Sequence, residues 1–154
     1  MKGIALRIED AIKVKKFPSK QQKLSINLIF TTSWAGTRLQ EFFGEYDLTS
    51  SQYNILRILR GHYPNSMTTS KISERMIHRD AGASRLVDRL IKKGLAKKSV
   101  SEVDRRLVDV VITPNGLDAL SKMDAERGRI DDIFGNLSEE EIDQLNDLLD
   151  KLRS

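Results

Sequence analysis

The chain of 154 residues has no cysteine. That absence excludes disulfides, thiolate nucleophiles, cysteine-bound zinc and thiol-based redox sensing by the chain itself. Histidine is nearly as scarce. His62 and His78 are the two present, and no carboxylates stand at a spacing that would complete a metal site with them. Both suit turns, with His78 a candidate phosphate contact. No apolar run approaches the roughly 18 residues that a bilayer span requires. The opening segment MKGIALRIEDAIKVKKF carries Glu9 and Asp10 in its middle, unlike a secretory signal. There is no glycine-rich phosphate loop and no nucleophile–base constellation. Glu139, Glu140 and Glu141 suit a helix start favoured by the macrodipole better than catalytic acids. These absences lead to the expectation of a cytoplasmic protein that is not an enzyme and uses no cofactor, metal or membrane.

What is present is charge, unevenly placed. Charged residues make up 31% of the chain, and the net charge is +4. From Leu117 to Ser154 there are 5 basic and 11 acidic residues, a balance of −6, so the other 116 residues carry +10. Ser66 to Arg106 alone hold 11 basic and 5 acidic residues, +6. A basic middle and an acidic end suit a chain of which one part meets a polyanion and the other does not.

Apolar spacing predicts a series of helices. Residues 1–20 form a basic arm, in which Ile4, Ile8 and Ile12 recur at helical spacing before Pro18. A long helix is expected over about Gln21–Tyr46, from Leu24, Leu28, Ala35, Leu39 and Phe42. Thr49 with Gln52 forms a capping box that opens a second helix, closed by Gly61 and Pro64. A short third helix starts from Thr68, with Ile72, Met76 and Ile77 facing inward. A fourth follows, with Asp80 as N-cap and Gly94 just past its end. Leu95 to Thr113 reads as a β-hairpin of largely β-branched strands. Thr113 and Pro114 open a fifth helix that continues to about Phe134. Ser138 with Glu141 opens a last one, striped by Ile142, Leu145, Leu149 and Leu152.

On a helical wheel the fourth helix divides cleanly. Ala83, Leu86, Val87, Leu90 and Ile91 fall on one side. Ala81, Gly82, Ser84, Arg85, Asp88, Arg89 and Lys92 fall on the other. An apolar back, a basic front and a slim leading end are what a major-groove recognition helix requires. The hairpin then becomes a wing. Its tip holds Asp104, Arg105 and Arg106, an adjacent cation pair whose self-repulsion a phosphate-lined groove would offset. Asp104 is placed to fix one arginine rotamer by a charge-assisted bond. The expected DNA-contacting set is Thr68, Ser70, Gly82, Ser84, Arg85, Arg89, Lys92, Asp104, Arg105 and Arg106. The fold class expected is mainly α with a small β-hairpin wing: a winged helix-turn-helix with terminal dimerisation helices.

The run SERM…SRLVDRLIKKGLA…DRRLVDVVITPNG resembles the MarR family of bacterial winged helix-turn-helix transcription regulators. Asp104 and Arg106 match that family's Asp-x-Arg wing motif. Arg85 to Leu95 match the end of its recognition helix, and ITPNG matches its Leu-Thr-x-x-Gly entry to the fifth helix, with Ile112 in place of Leu. HRDAG (His78 to Gly82) departs from the usual Ser/Thr-rich start of the recognition helix, which leaves the operator sequence open. The resemblance covers about Gln21 to Ser154. It implies a homodimer on pseudo-palindromic double-stranded DNA, usually a repressor in the nucleoid, often released by a small anionic or phenolic effector.

On this basis 47–113 is expected to be the DNA-binding lobe of a single domain, with 21–46 and 114–154 as dimerisation helices. Leu24, Leu28, Ile142, Leu145, Leu149 and Leu152 are the candidate dimer contacts, since a monomer of this size hardly covers such stripes. A two-fold would set two recognition helices about 34 Å apart. Trp34, Arg38, Phe42, Tyr46, Tyr53 and His62 are candidate effector contacts, although core packing is the simpler role for these aromatics. A winged helix that binds protein instead of DNA is the alternative function, but it has no need of paired arginines.

Overall fold

The computed structural model describes residues 6–78, 82–100 and 108–154. Its elements are α1 (Ile8–Ala11), α2 (Lys20–Gly44), α3 (Ser50–Arg60), β1 (Met67–Thr68), α4 (Thr69–Arg75), α5 (Ala83–Lys92), β2 (Ala96–Val100), β3 (Val108–Ile112), α6 (Pro114–Ala125), α7 (Gly128–Asp131), a 3-10 turn (Asp132–Phe134) and α8 (Glu139–Leu152). They form two compact units. One is Leu39–Arg127; the other combines Met1–Arg38 with Gly128–Ser154.

The Leu39–Arg127 unit starts α3, α4 and α6 where the caps predict. The Thr49 hydroxyl accepts the Gln52 N–H at 3.2 Å, and Gln52 Oε1 accepts the Thr49 N–H at 3.0 Å. Thr68 accepts the Lys71 N–H at 3.3 Å and opens α4. Ile55, Leu56 and Leu59 from α3, Ile72 from α4 and Val87 and Leu90 from α5 are all buried. Ile77 corrects the expectation, since it is 78% exposed. The helix ends at Arg75 and Met76 is already extended, so the helical spacing that grouped Ile77 with Met76 no longer applies. The Ile77 N–H instead donates to Asn54 Oδ1 at 3.1 Å.

The start of α5 is also later than expected. Its N-cap is Gly82, at φ 65°, a left-handed conformation that suits glycine. Asp80, the expected cap, lies outside the described residues. At the other end the Leu95 N–H bonds the Leu90 carbonyl at 3.0 Å and the Gly94 N–H the Ile91 carbonyl at 2.9 Å. With Gly94 at φ 70° this is a Schellman motif, and it turns the chain directly from α5 into β2.

The sheet has three strands, ordered β1–β3–β2 and all antiparallel, where the sequence suggested a hairpin alone. Ala96 pairs with Ile112 and Val100 with Val108; Met67 pairs with Val110. Two residues are too few to show a period, which is why β1 escaped notice. Val110 and Ile112 on β3 face the core with Met67 and Ala96.

Thr113 joins this sheet to α6. Its N–H donates to the Leu95 carbonyl at 3.0 Å, its hydroxyl donates to the Gly94 carbonyl at 2.6 Å and also accepts the Gly116 N–H at 3.2 Å. Leu120 and Met123 are buried, and Arg60 pairs with Asp124 at 2.5 Å. The helix stops at Ala125 instead of running to Phe134, because Glu126 leaves helical geometry (φ −102°, ψ 17°). Gly128 follows, and a glycine inside a helix costs about 1 kcal/mol against alanine.

The second unit has a different character. Ile8 on α1 is buried, and Glu9 meets Lys23 of α2 at 2.5 Å. The Lys23 hydrogen bond holds the Glu9 carboxyl below its ordinary pKa. Ser138 and Glu141 form the expected reciprocal cap of α8, at 2.8 and 3.2 Å. Trp34 meets Phe134 edge-on, with ring centroids 6.4 Å apart. Yet Ile8 is the one large apolar side chain buried among this unit's described residues; Leu24, Ile29, Phe30, Leu137, Leu145, Leu148 and Leu152 are exposed.

Gly116 offers a sharp test of the first unit's packing. A Cβ there would lie 2.3 Å from the Leu95 carbonyl oxygen and 2.7 Å from Ile112 Cγ1. Gly116→Ala should therefore destabilise the fold by about 1–3 kcal/mol, seen as a lower urea midpoint. Gly44→Ala, where the new carbon meets nothing within 4 Å and a better helix former ends α2, should hold the midpoint or raise it slightly.

Candidate nucleic-acid interface

The α5 helix carries an apolar back and a charged front, as its spacing predicts. Ala83, Leu86, Val87 and Leu90 are buried and Ile91 is half-buried; Ser84, Arg85, Asp88, Arg89 and Lys92 are exposed. The back is pinned by the core, so the front is held in place at little further entropic cost.

The charges of the front are not equivalent. Asp88 pairs with Lys98 of β2 at 2.5 Å, each about half exposed. Such a surface pair is worth about 1 kcal/mol at most, but it links the helix front to the hairpin and cancels the front's one negative charge. Lys93, the C-cap of α5, pairs with the Asp47 carboxylate at 2.6 Å and also bonds the Asp47 carbonyl. Arg85, Arg89 and Lys92 have no ion-pair partner among the described residues. The helix therefore presents three uncompensated cations within about two turns.

Of the other expected DNA contacts, Ser70 is exposed on the first turn of α4, and the Thr68 hydroxyl is engaged as the α4 cap. Gly82 is exposed at the leading end of α5. Asp104, Arg105 and Arg106 lie outside the described residues. Lys97 and Lys98, both exposed on β2, add to the basic surface and were absent from the expected set. The signal for them was the run KK at 97–98 in a strand beside α5.

The candidate effector residues divide between the units. Trp34 and Arg38 belong to the one, and Phe42, Tyr46, Tyr53 and His62 to the other. Phe43 stacks on Tyr53 at 4.3 Å, and Phe42 packs against Phe43 at 5.6 Å and Tyr46 at 5.5 Å. Arg57 donates to the Tyr53 hydroxyl at 3.0 Å. Phe42 and Phe43 are buried core residues, and His62 is half-buried in the turn after α3. Trp34 is 41% exposed.

Among the described residues no helix is long and apolar enough to cross a membrane, and no group of three or more His, Asp or Glu is placed to hold a metal.

Residues 46–107, which contain α3 to β2, match the MarR family model. A MarR transcription factor from Planctomyces limnophilus, solved by crystallography, is 30% identical, with a TM-score of 0.68 over 88% of this chain and 98% of that one. The chain belongs to the MarR family. As a MarR-family protein it is a DNA-binding transcription regulator and not an enzyme. The HTH-type transcriptional regulator PapX of Escherichia coli is 27% identical over 73% of this chain and 69% of its own length. The MarR fold is also shared with an E. coli MarR variant crystallised with operator DNA, at 21% identity and a TM-score of 0.76 over 84% of this chain and 92% of that one.

Proposed function

We propose that the protein is a homodimer that reads a pseudo-palindromic operator with α5 in the major groove and acts as a repressor in the bacterial cytoplasm, at the nucleoid. The exposed front of α5 carries this proposal: cations without partners on a helix whose back is fully packed. Gly82 and Ser84 form a slim leading end, and Arg85 stands behind it, where an arginine can read guanine through two hydrogen bonds. Arg89 and Lys92 follow along the same front. Ser70 and Thr68 stand at the start of α4. The tip residues Asp104, Arg105 and Arg106 take the role of a wing on the backbone and minor groove. Residues 47–113 are then the DNA-binding lobe, with 1–20 as a basic arm.

The second copy is called for by the unit that lacks a core. Leu24, Leu145 and Leu152 are exposed, with Leu28, Ile142 and Leu149 half-buried beside them. Soluble proteins seldom leave such a set uncovered, and a two-fold partner covers both copies at once. The assignment of 21–46 and 114–154 to dimerisation is best narrowed to 20–38 and 128–154. The α6 helix closes the core of the other unit through Gly116, Leu120 and Met123. A small anionic or phenolic effector is assigned to Trp34 and Arg38; the exposure of Trp34 supports it.

Two experiments test this. In anisotropy titrations against a DNA fragment selected from a random pool, Arg85→Ala should cost about 1–3 kcal/mol and relax base preference. Lys98→Ala should weaken binding evenly across sequences and lower the salt slope by about one ion per subunit. Loss of specificity from Lys98→Ala alone would reverse the roles. For assembly, Leu145→Asp with Leu148→Asp should convert a dimer to a folded monomer in light scattering, because both side chains are exposed within one chain. A wild-type protein that scatters as a monomer at micromolar concentration would refute the dimer.

A further inference from the structure

Residues 1–20 precede both the family match at 46–107 and the stretch from Gln21 onward that resembles the family. The DNA-reading role proposed for α5 makes no use of them. From Ile8 the arm is held in place. Ile8 is buried, Glu9 meets Lys23 of α2 at 2.5 Å, and the Val14 N–H donates to the Glu9 carbonyl at 2.9 Å. Val14 and Phe17 are half-buried, whereas Lys13, Lys15, Lys16 and Lys20 are exposed. These four lysines have no ion-pair partner among the described residues. No acidic residue stands among 13–20 to offset them.

A surface of opposite sign belongs to the same compact unit. Residues 139–150 of α8 include six acidic residues and no basic one. Glu139, Asp143 and Asp147 recur every fourth position, so they share one face, and at 100° per residue that face points away from Leu145, Leu148, Leu149 and Leu152. All three carboxylates are exposed. Asp150 is paired with Arg153, but Glu139, Asp143 and Asp147 have no ion-pair partner among the described residues. Like charges four apart on a helix destabilise it, and cations laid along the stripe would remove that cost.

The two surfaces match in sign and in reach. The α8 stripe rises about 12 Å from Glu139 to Asp147, and residues 13–20 extend to at most about 25 Å. Within one chain they do not pair, since none of the four lysines meets an α8 carboxylate. Both also border the apolar surface assigned above to the dimer: the arm is tied to Lys23, next to Leu24, and the stripe runs beside Leu145 and Leu148. We propose that Lys13, Lys15, Lys16 and Lys20 of one copy dock on Glu139, Asp143 and Asp147 of a second copy. A two-fold repeats the contact, so the dimer carries two such clasps at the rim of its apolar interface. The proposal rests on the homodimer reading and adds a determinant of partner choice to it. A charged rim selects which chains associate, because a like-charged partner is rejected, and it makes association sensitive to salt.

The test is a charge exchange in the full chain. One variant reverses the arm: Lys13→Glu, Lys15→Glu, Lys16→Glu and Lys20→Glu. The other reverses the stripe: Asp143→Lys and Asp147→Lys. All six side chains are exposed, so the fold of the single chain should survive. In sedimentation at low salt, each variant alone should self-associate roughly tenfold more weakly than the wild type or worse. The difference should shrink at about 0.5 M salt, where charges are screened. An equimolar mixture should regain wild-type affinity as a heterodimer, since both of its clasps then join opposite charges; native mass spectrometry separates the three dimers by mass. That recovery also shows that both variants are folded. No recovery in the mixture, with recovery in a single chain carrying both reversals, would place the contact within one chain and overturn the proposal. Variants that dimerise as the wild type does would overturn the clasp and leave the homodimer standing. Arm reversal that lowers DNA affinity while the dimer is unchanged would overturn it too and assign the arm to the DNA backbone. A wild type that is monomeric at micromolar concentration would remove the homodimer reading itself, and the clasp with it.

Discussion

The structure depends on where its buried apolar surface lies. Of nineteen buried apolar residues among those described, eighteen belong to Leu39–Arg127 and one, Ile8, to the rest. Burial stabilises by about 25 cal/mol per Å² removed from water, so the two units cannot be equally self-sufficient. The first has what a fold needs: Ile55, Leu56, Leu59, Ile72, Val87, Leu90, Val110, Ile112, Leu120 and Met123 close on each other from four helices and a sheet. The second has side-chain caps at the starts of α2 and α8 and exposed leucines. In the dimer proposed above, a second copy covers those leucines, while the first unit keeps its own core without one.

The same core explains how α5, the proposed DNA-reading helix, is held still. The back of α5 is buried to the last turn, and the turn that ends it is fixed by Gly94 and the Leu95–Leu90 bond. Thr113 then ties that turn to the start of α6, and Gly116 lets the α6 backbone approach the Leu95 carbonyl where no side chain would fit. Helix, strand and following helix thus share one joint. The Asp88–Lys98 pair adds a link on the solvent side. A recognition element must hold its side chains to within a fraction of a turn, and here that order comes from packing behind the helix more than from contacts on its face.

Local signals made much of this legible in the sequence. Capping boxes at Thr49 and Ser138, the cap at Thr68 and Pro114 at a first helical position all stood in the sequence, because each depends on residues three or four apart. The wheel of α5 worked for the same reason: its back meets one core. The failures are of two kinds. Ile77 was misplaced because the chain leaves helical geometry at Met76, and a periodic pattern carried across a break assigns the wrong face; α5 starts at Ala83, capped by Gly82, two positions after the expected cap. The two-residue strand β1 and the end of α6 at Ala125 depend on long-range pairing and on Glu126 and Gly128, which no period displays.

Native-state hydrogen exchange, followed as a function of protein concentration, tests the central asymmetry most directly. If a second copy supplies the missing core, amides in 20–38 and 139–152 should lose protection on dilution as the dimer dissociates, while those of α3, α5 and β3 keep theirs. High protection in both regions that does not change with concentration would contradict the account, since it would mean that the exposed leucines of a single chain are stable without a partner.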